Sequence, residues 1–237
     1  MARLIGLNFH GIGTPARDLE EGEAPYWLSE AQFFDVLDRV ADSPTPSTYC
    51  LTFDDGNLSD YKIALPALKQ RGLTATFFVL TGRLDEPGSL TRDHVKALMS
   101  AGMGVGSHGI AHVAWNMLGT AALEQELTGS REVLQELSGA AVTKAGIPFG
   151  RYNARVLRAL RRTGYKTAFS SDAGYMSDTA FLRPRTSLRG DMTPAEIDAI
   201  LAGRMPVSRR MRRTVSMIRK QFLPLEKKSL RQRPSNL

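Results

Sequence analysis

Apolar runs of strand length alternate with helical periodicities from the N-terminus to about residue 203. RLIGLNF reads as a first strand, followed by STYCLTF, the β-branched and aromatic TATFFVL, MGVGSH, VTKAGIP and YKTAFSS, with RPRTSL as a last short one. Helical patterns fill the intervals. Ser29 opens SEAQFFDVLDRV with Gln32 at capping-box spacing, and SDYKIALPALKQRG reads as one helix stopping at Gly72. Thr91 starts TRDHVKALMSAG, a longer helix runs from about Thr120 to Leu137, and Asn153 caps NARVLRALRRTG. In TPAEIDAILAG, Thr193 is the cap, Pro194 occupies the first helical position, Glu196 completes the box and Gly203 ends the helix.

Six or seven strand–helix units without an internal repeat imply parallel strands with helical crossovers. A distorted (β/α)7 TIM-like barrel of the α/β class, forming one domain over residues 1–203, is the expected fold; a doubly wound open sheet is the alternative. Either places chemistry where strands end.

Composition adds little to this until it is divided. Of the 237 residues, 42% are hydrophobic and 23% charged, as in soluble globular proteins. The lone cysteine, Cys50, excludes an internal disulfide and reads as a small core residue. The net charge of +7 is unevenly spread. Residues 204–237 hold eleven Lys and Arg against one acid, Glu226, whereas the preceding 203 residues hold 20 basic and 23 acidic groups. The tail therefore carries the whole excess. Within it Met211, Val215, Ile218 and Phe222 recur at steps of four, three and four, among Arg209, Arg210, Arg212, Arg213, Arg219 and Lys220. That is a basic amphipathic helix, suited to an anionic membrane face; the alternative is a helix packing its stripe on the barrel. No aromatic stacking platform accompanies the charge, so nucleic acid is not expected. The apolar stretch of MARLIGLNFHGIG is too short for a signal peptide, and no run of 18 apolar residues occurs, so cytoplasm is the expected compartment.

Several chemistry-bearing residues fall at strand ends: His10 after the first strand, Asp54 and Asp55 in TFDDG, His108 and His112 after MGVGS, and Phe149 in the PFG turn. Two histidines four apart can face one metal when the segment turns helically. Alone, DDG also fits an Asx-type turn at a helix start, and a lone HxxxH pair is common.

Together these segments carry a family resemblance. YCLTFDDGNLSDYKIALPALKQRGLTATFFVLTG resembles the first motif region of polysaccharide deacetylases, the NodB-homology or carbohydrate esterase family 4 group. GVGSHGIAHVAWNMLG is similar to their second motif and GIPFGRYNARVLRALRRTGYKTAFS to a variant of their third, so the likeness covers roughly residues 1–190. The resemblance implies a barrel of about seven units and metal-dependent hydrolysis of N-acetyl groups on a glycan or lipid-linked sugar. Carried onto this chain it makes Asp55, His108 and His112 the ligands of a divalent ion, zinc by preference, with other first-row metals open. It makes Asp54 the general base and the Phe149 N–H an oxyanion donor.

Three departures qualify it. Gly109 follows His108 where the family often has Ser or Thr, and Gly146 stands where the motif arginine that orients the base belongs. Arg185 or Arg183 is the candidate replacement, a structural or solvated arginine being the alternative. No histidine lies beyond His112, so the late motif that supplies the family's general acid is absent. His10 in LNFHGIG resembles the first-strand histidine of an exopolysaccharide deacetylase branch and is the candidate acid; otherwise it packs at the strand end. His94 reads as a surface or helix-packing residue. Trp115 and Tyr152 are candidates for a sugar cleft, with core packing the safer reading of Trp115. A silent carbohydrate-binding barrel and a hydrolase of a non-sugar amide remain as alternative functions.

Overall fold

Alternation along the strands sets the architecture of the computed structural model, which describes residues 3–204, 211, 215 and 217–220. Its strands are β1 (Arg3–Phe9), β2 (Gly11–Ile12), β3 (Trp27–Leu28), β4 (Tyr49–Phe53), β5 (Ala75–Val79), β6 (Gly104–Ser107), β7 (Lys144–Gly146), β8 (Thr167–Ser170), β9 (Tyr175–Ser177), β10 (Leu182–Pro184) and β11 (Thr186–Ser187). The α-helices are α1 (Glu30–Ala41), α2 (Leu65–Gln70), α3 (Arg92–Ser100), α4 (Thr120–Ser138), α5 (Ala154–Arg162) and α6 (Pro194–Leu201).

The main sheet runs β10-β8-β7-β6-β5-β4-β1-β11, all parallel along this path. Its two ends are consecutive in the chain, because β10 and β11 are one strand broken at Arg185. The sheet therefore bends round into a nearly closed (β/α)7 barrel, and the open-sheet alternative falls. RPRTSL, expected as one strand, is split for this reason. An additional strand, β9, pairs antiparallel with β1 through Arg3↔Ser177 to Ile5↔Tyr175.

Outward residues Leu7, Phe9, Leu51, Phe53, Phe77 and Val79 join Phe33, Val36, Leu37 and Leu68 of the helices in the main core. Phe53 stacks between Phe9 (5.0 Å) and Phe77 (4.6 Å) across three adjacent strands. Each such side chain, fully buried, contributes roughly 1.5–3 kcal/mol of transfer free energy. Their neighbours turn inward, where Phe78, Phe169 and Met176 fill one end of the barrel. Cys50 packs against that cluster but is only partly buried, so it is less of a core residue than the sequence suggested; burial still pushes its thiol upward.

The expected caps form. Ser29 with Gln32, and Thr193 with Glu196, make capping boxes, and Asn153 accepts from the Val156 N–H. Thr91 makes one too, with His94 as its partner, and the His94 ring stacks on Tyr61 at 4.1 Å. The helix expected through Gly72 begins instead as a π-turn, Asp60–Ala64, in which the Leu65 N–H donates to Asp60 O before α2 follows. Pro66 accounts for this, because it supplies no N–H to the ladder.

No helix among the described residues is long and apolar enough to cross a membrane. In the tail, residues 211, 215 and 217–220 are helical. Phe222 and Arg209, Arg210, Arg212 and Arg213 of the expected amphipathic helix lie outside the described residues.

Candidate active site

Strand parity brings the first carboxylate inward. Cys50 and Thr52 face the barrel interior, and Asp54, one step beyond β4, continues on that side. Asp55 would then face the helices, but its φ of +78° re-aims it. Asp tolerates this left-handed conformation better than most residues, and Gly56 follows it at φ +71°. The two carboxylates consequently diverge, one into the barrel and one to its mouth. Hydrogen bonds from Leu58 N–H to Gly88 O and from Leu90 N–H to Gly56 O, both 2.9 Å, pin the turn to a neighbouring loop.

Asp54 is held on the inner side. Arg185 Nη1 donates to its Oδ1 at 2.7 Å and Nη2 to its Oδ2 at 2.8 Å, while Asn8 Nδ2 donates to Oδ2 at 2.9 Å. The guanidinium is fully buried and also donates to Asn8 Oδ1 (2.6 Å) and Thr52 Oγ1 (3.0 Å). It lies over the rings of Phe78 and Phe169. Gly6 makes room for it, since a Cβ there would stand 3.1 Å from Arg185 Cα and Cγ. Arg183 turns away to the carbonyls of Ala180 and Asp178. Burial by itself would raise Asp54, but Arg185, with His108, holds it below the ordinary carboxylate range.

At the mouth, Asp55 Oδ1 lies 3.3 Å from His108 Nε2 and 3.5 Å from His112 Nε2. Each imidazole is oriented from its far side: His108 Nδ1 is 2.9 Å from Gly146 O, and His112 Nδ1 is 2.8 Å from Glu20 Oε2. Donation through Nδ1 leaves both Nε2 lone pairs directed at one point. Asp55 Oδ1 is buried and finds no hydrogen-bond donor among the described residues. A buried carboxylate oxygen facing two imidazole lone pairs is expensive unless a cation lies between them. One ligand atom from each of the three residues falls within 4.8 Å of the others. This N,N,O donor set fits a divalent ion. Burial opposes charge on Asp55, yet His108 and the other imidazoles pull it far below the usual carboxylate range. His108 is raised despite burial by Asp54 and Asp55.

Both glycine departures have a steric cause. A Cβ at Gly146 would meet Phe78 Cγ at 2.9 Å and His108 Nδ1 at 3.0 Å, leaving no path for a larger side chain. A Cβ at Gly109, where φ is +92°, would stand 2.5 Å from Glu126 Oε2. That carboxylate accepts the N–H groups of Ile110 (2.8 Å) and Ala111 (3.1 Å), fixing the turn between the two histidines.

His10 joins Asp54, Asp55, His108, His112 and Phe149 in lining one cleft of about 940 Å³, while Arg185 stands behind Asp54. Its ring lies 4.9 Å from that of Tyr26, and its Nδ1 is buried without a partner among the described residues. Burial lowers its proton affinity, against the pull of Asp55 and Asp54. Phe149 has φ +55° and an exposed ring that stacks on His112 at 4.2 Å; the turn's own hydrogen bonds use the Gly150 and Arg151 N–H groups. Trp115 and Tyr152 are both buried in a core cluster and leave the aromatic lining of the cleft to Tyr26, Phe149 and Tyr175. Sequence reasoning missed Glu20, Tyr26 and Glu126, and also Asn8, whose inward parity in β1 was the available signal.

The family model described as polysaccharide deacetylase matches residues 41–168. YxkH of Bacillus subtilis strain 168, whose name places it among polysaccharide deacetylases, is 31% identical over 189 residues, covering 74% of this chain and 67% of that protein. A chitin deacetylase of Pestalotiopsis sp is 30% identical over 125 residues, 51% of this chain and 40% of its own length. The fold is similar to that of the Streptococcus pyogenes deacetylase PplD, solved in complex with acetate, with a TM-score of 0.73 at 23% identity over 86% of this chain and 99% of that one. With the family model matched over more than half its length and YxkH aligned through two thirds of its own, the chain belongs to the polysaccharide deacetylase family, hydrolases that act on the N-acetyl groups of carbohydrates.

Proposed function

We propose that this protein removes acetyl from an N-acetylated sugar within a glycan or a lipid-linked glycan precursor, with Asp54 as base beside a metal held by Asp55, His108 and His112. The observation that carries the reading is the divergence of the adjacent carboxylates: Asp54 is clamped by Arg185, while Asp55 faces two oriented imidazoles with its Oδ1 undonated. A bound divalent ion, zinc by preference, would polarise the acetyl carbonyl and acidify the attacking water.

The chain's own groups do the rest. Asp54, ionised at neutral pH, accepts the proton of the attacking water, and Arg185 and Asn8 keep its carboxylate in one orientation. The Phe149 N–H, in a left-handed turn whose ring lines the cleft, donates to the developing oxyanion in this reading. His10 delivers a proton to the departing amine nitrogen, so that the C–N bond breaks to a neutral amine and acetate. Tyr26, Phe149 and Tyr175 offer ring faces for sugar stacking. Arg185 on Asp54 weighs against the silent-barrel alternative, which drew on the missing arginine.

The test is metal analysis together with acetate release from N-acetylglucosamine oligomers and from lipid-linked N-acetyl sugars, comparing wild type with Asp54→Asn. Metal-dependent acetate release that Asp54→Asn abolishes is expected. Bound metal with no acetate from any of these substrates would overturn the sugar reading and favour a non-sugar amide.

A further inference from the structure

The described residues of the tail, 211, 215 and 217–220, are helical and turned inside out relative to their own protein. Met211, Val215 and Ile218 share one helical face by their spacing of four and three, and they are 65%, 65% and 54% exposed. Lys220, nine residues beyond Met211, falls on the opposite side, roughly 180° round at the α-helical period. That side is the one tied to the barrel. Lys220 Nζ donates to Asp172 Oδ1 at 2.6 Å and to Gly150 O at 3.2 Å, and it lies over the Tyr152 ring at 5.1 Å. A helix that packs on its own domain does the reverse, burying its apolar stripe and presenting lysine to water. The alternative, in which this stripe covers the barrel, therefore fails at the three apolar residues described.

We infer that this helix docks the protein on an anionic lipid surface, with Met211, Val215 and Ile218 entering the acyl boundary. Charge selects that occupant. Residues 204–237 hold eleven basic side chains against one acidic, and Arg219, beside the stripe, is exposed. Interfacial helices combine an apolar face with flanking Lys and Arg in this way, and each cation near an anionic leaflet adds about 1 kcal/mol of attraction. A second copy meeting it tail to tail would bring the same positive charge to the same face and be repelled.

The docking has a consequence for the cleft. Gly150 belongs to the PFG turn, and Asp172 lines the cleft, so the helix is moored at the cleft's rim. The bound protein then holds that rim close to the lipid, within reach of a sugar carried on a lipid. This consequence rests on the deacetylase reading; the docking itself does not.

The test is co-sedimentation of the full chain with phosphatidylcholine vesicles and with vesicles of equal parts phosphatidylcholine and phosphatidylglycerol. Binding to the second and little to the first is expected, weakening as salt shortens the reach of the charges. The triple variant Met211→Asp, Val215→Asp, Ile218→Asp should lose about tenfold or more of that binding. It should also keep wild-type acetate release from a soluble N-acetylglucosamine oligomer, which shows that the barrel is intact. Equal and negligible binding of wild type to both vesicles would overturn the inference, as would undiminished binding of the triple variant. So would a wild-type dimer that the triple variant abolishes, without vesicle binding by either. Absence of acetate release with vesicle binding intact would count against the enzymatic reading alone.

Discussion

Arg185 grips Asp54 with two parallel hydrogen bonds of 2.7 and 2.8 Å, although 131 residues separate them in the chain. Both groups are buried, so each compensates the other, and removing one partner strands a charge at a cost of about 3–5 kcal/mol. Arg185→Met is therefore expected to lower the melting temperature sharply and to abolish acetate release. Adding Asp54→Asn to it should restore much of the stability and none of the activity. Thermal unfolding of the wild type, both single variants and the double variant measures this coupling; additive losses would show that the pair does not act as a unit.

Glu20 plays a comparable part at the candidate metal site. It accepts from His112 at 2.8 Å and is itself paired with Arg83, so a loop that follows β2 holds a candidate ligand presented after β6. Groups that orient a ligating imidazole typically change metal affinity by about 10- to 100-fold. Glu20→Gln should weaken zinc binding toward the low end of that range and Glu20→Ala further, as read by competition with a chromophoric chelator. Activity at saturating zinc should largely return in Glu20→Gln.

Those two contacts also mark how far the sequence reaches. Strands and helices follow local rules, and Ser29, Thr91, Asn153 and Thr193 all cap where their spacing predicts. Strand-end residues were legible because a barrel gathers strand ends, so His10, Asp54, Asp55, His108, His112 and Phe149 line one cleft. The sequence favoured Arg185 but left Arg183 open, since which of them enters the barrel depends on where the last strand breaks. Glu20 and Tyr26 lie on an aperiodic loop whose path is set by tertiary contacts, among them Arg17 donating to Asn57 Oδ1 at 2.8 Å. Asp60 lies within SDYKIALPALKQRG, which the sequence presents as one ordinary helix, and the π-turn that carries it has no periodic signature.

Asp60 is an unfavourably placed carboxyl. It is fully buried, and neither of its oxygens has a well-formed hydrogen bond among the described residues, the Asn57 N–H giving it only partial support. Burial, with Asp55 and Asp54 adding to it, raises its pKa well above the ordinary value. A carboxyl raised in the folded state binds more protons folded than unfolded, so its contribution to stability declines as pH rises above about 4. Asp60→Asn removes this liability while keeping the shape. The variant should match wild type near pH 3 to 4 and exceed it by about 1–3 kcal/mol at neutral pH. Urea unfolding across that range checks the sign; a variant less stable at pH 7 would mean that Asp60 has a partner of consequence, such as bound water.

His10 is the group whose role turns most on chemistry rather than placement. It lines the cleft beside both aspartates, its ring tilted at 45° against that of Tyr26 and with Nδ1 unsatisfied among the described residues. A proton donor matters in proportion to how poor the leaving group is. An amine cannot depart from an amide unprotonated, whereas 4-nitrophenolate leaves readily on its own. His10→Ala should therefore lose about 10²- to 10⁴-fold in kcat for an N-acetyl sugar, the usual worth of general acid catalysis, and little for 4-nitrophenyl acetate. A purely structural histidine would damage the two substrates alike, because collapse of the cleft does not distinguish leaving groups. Equal losses on amide and ester would remove His10 from the reaction and return it to the packing of the strand end. Metal content measured on the same preparation separates either outcome from a lost ion.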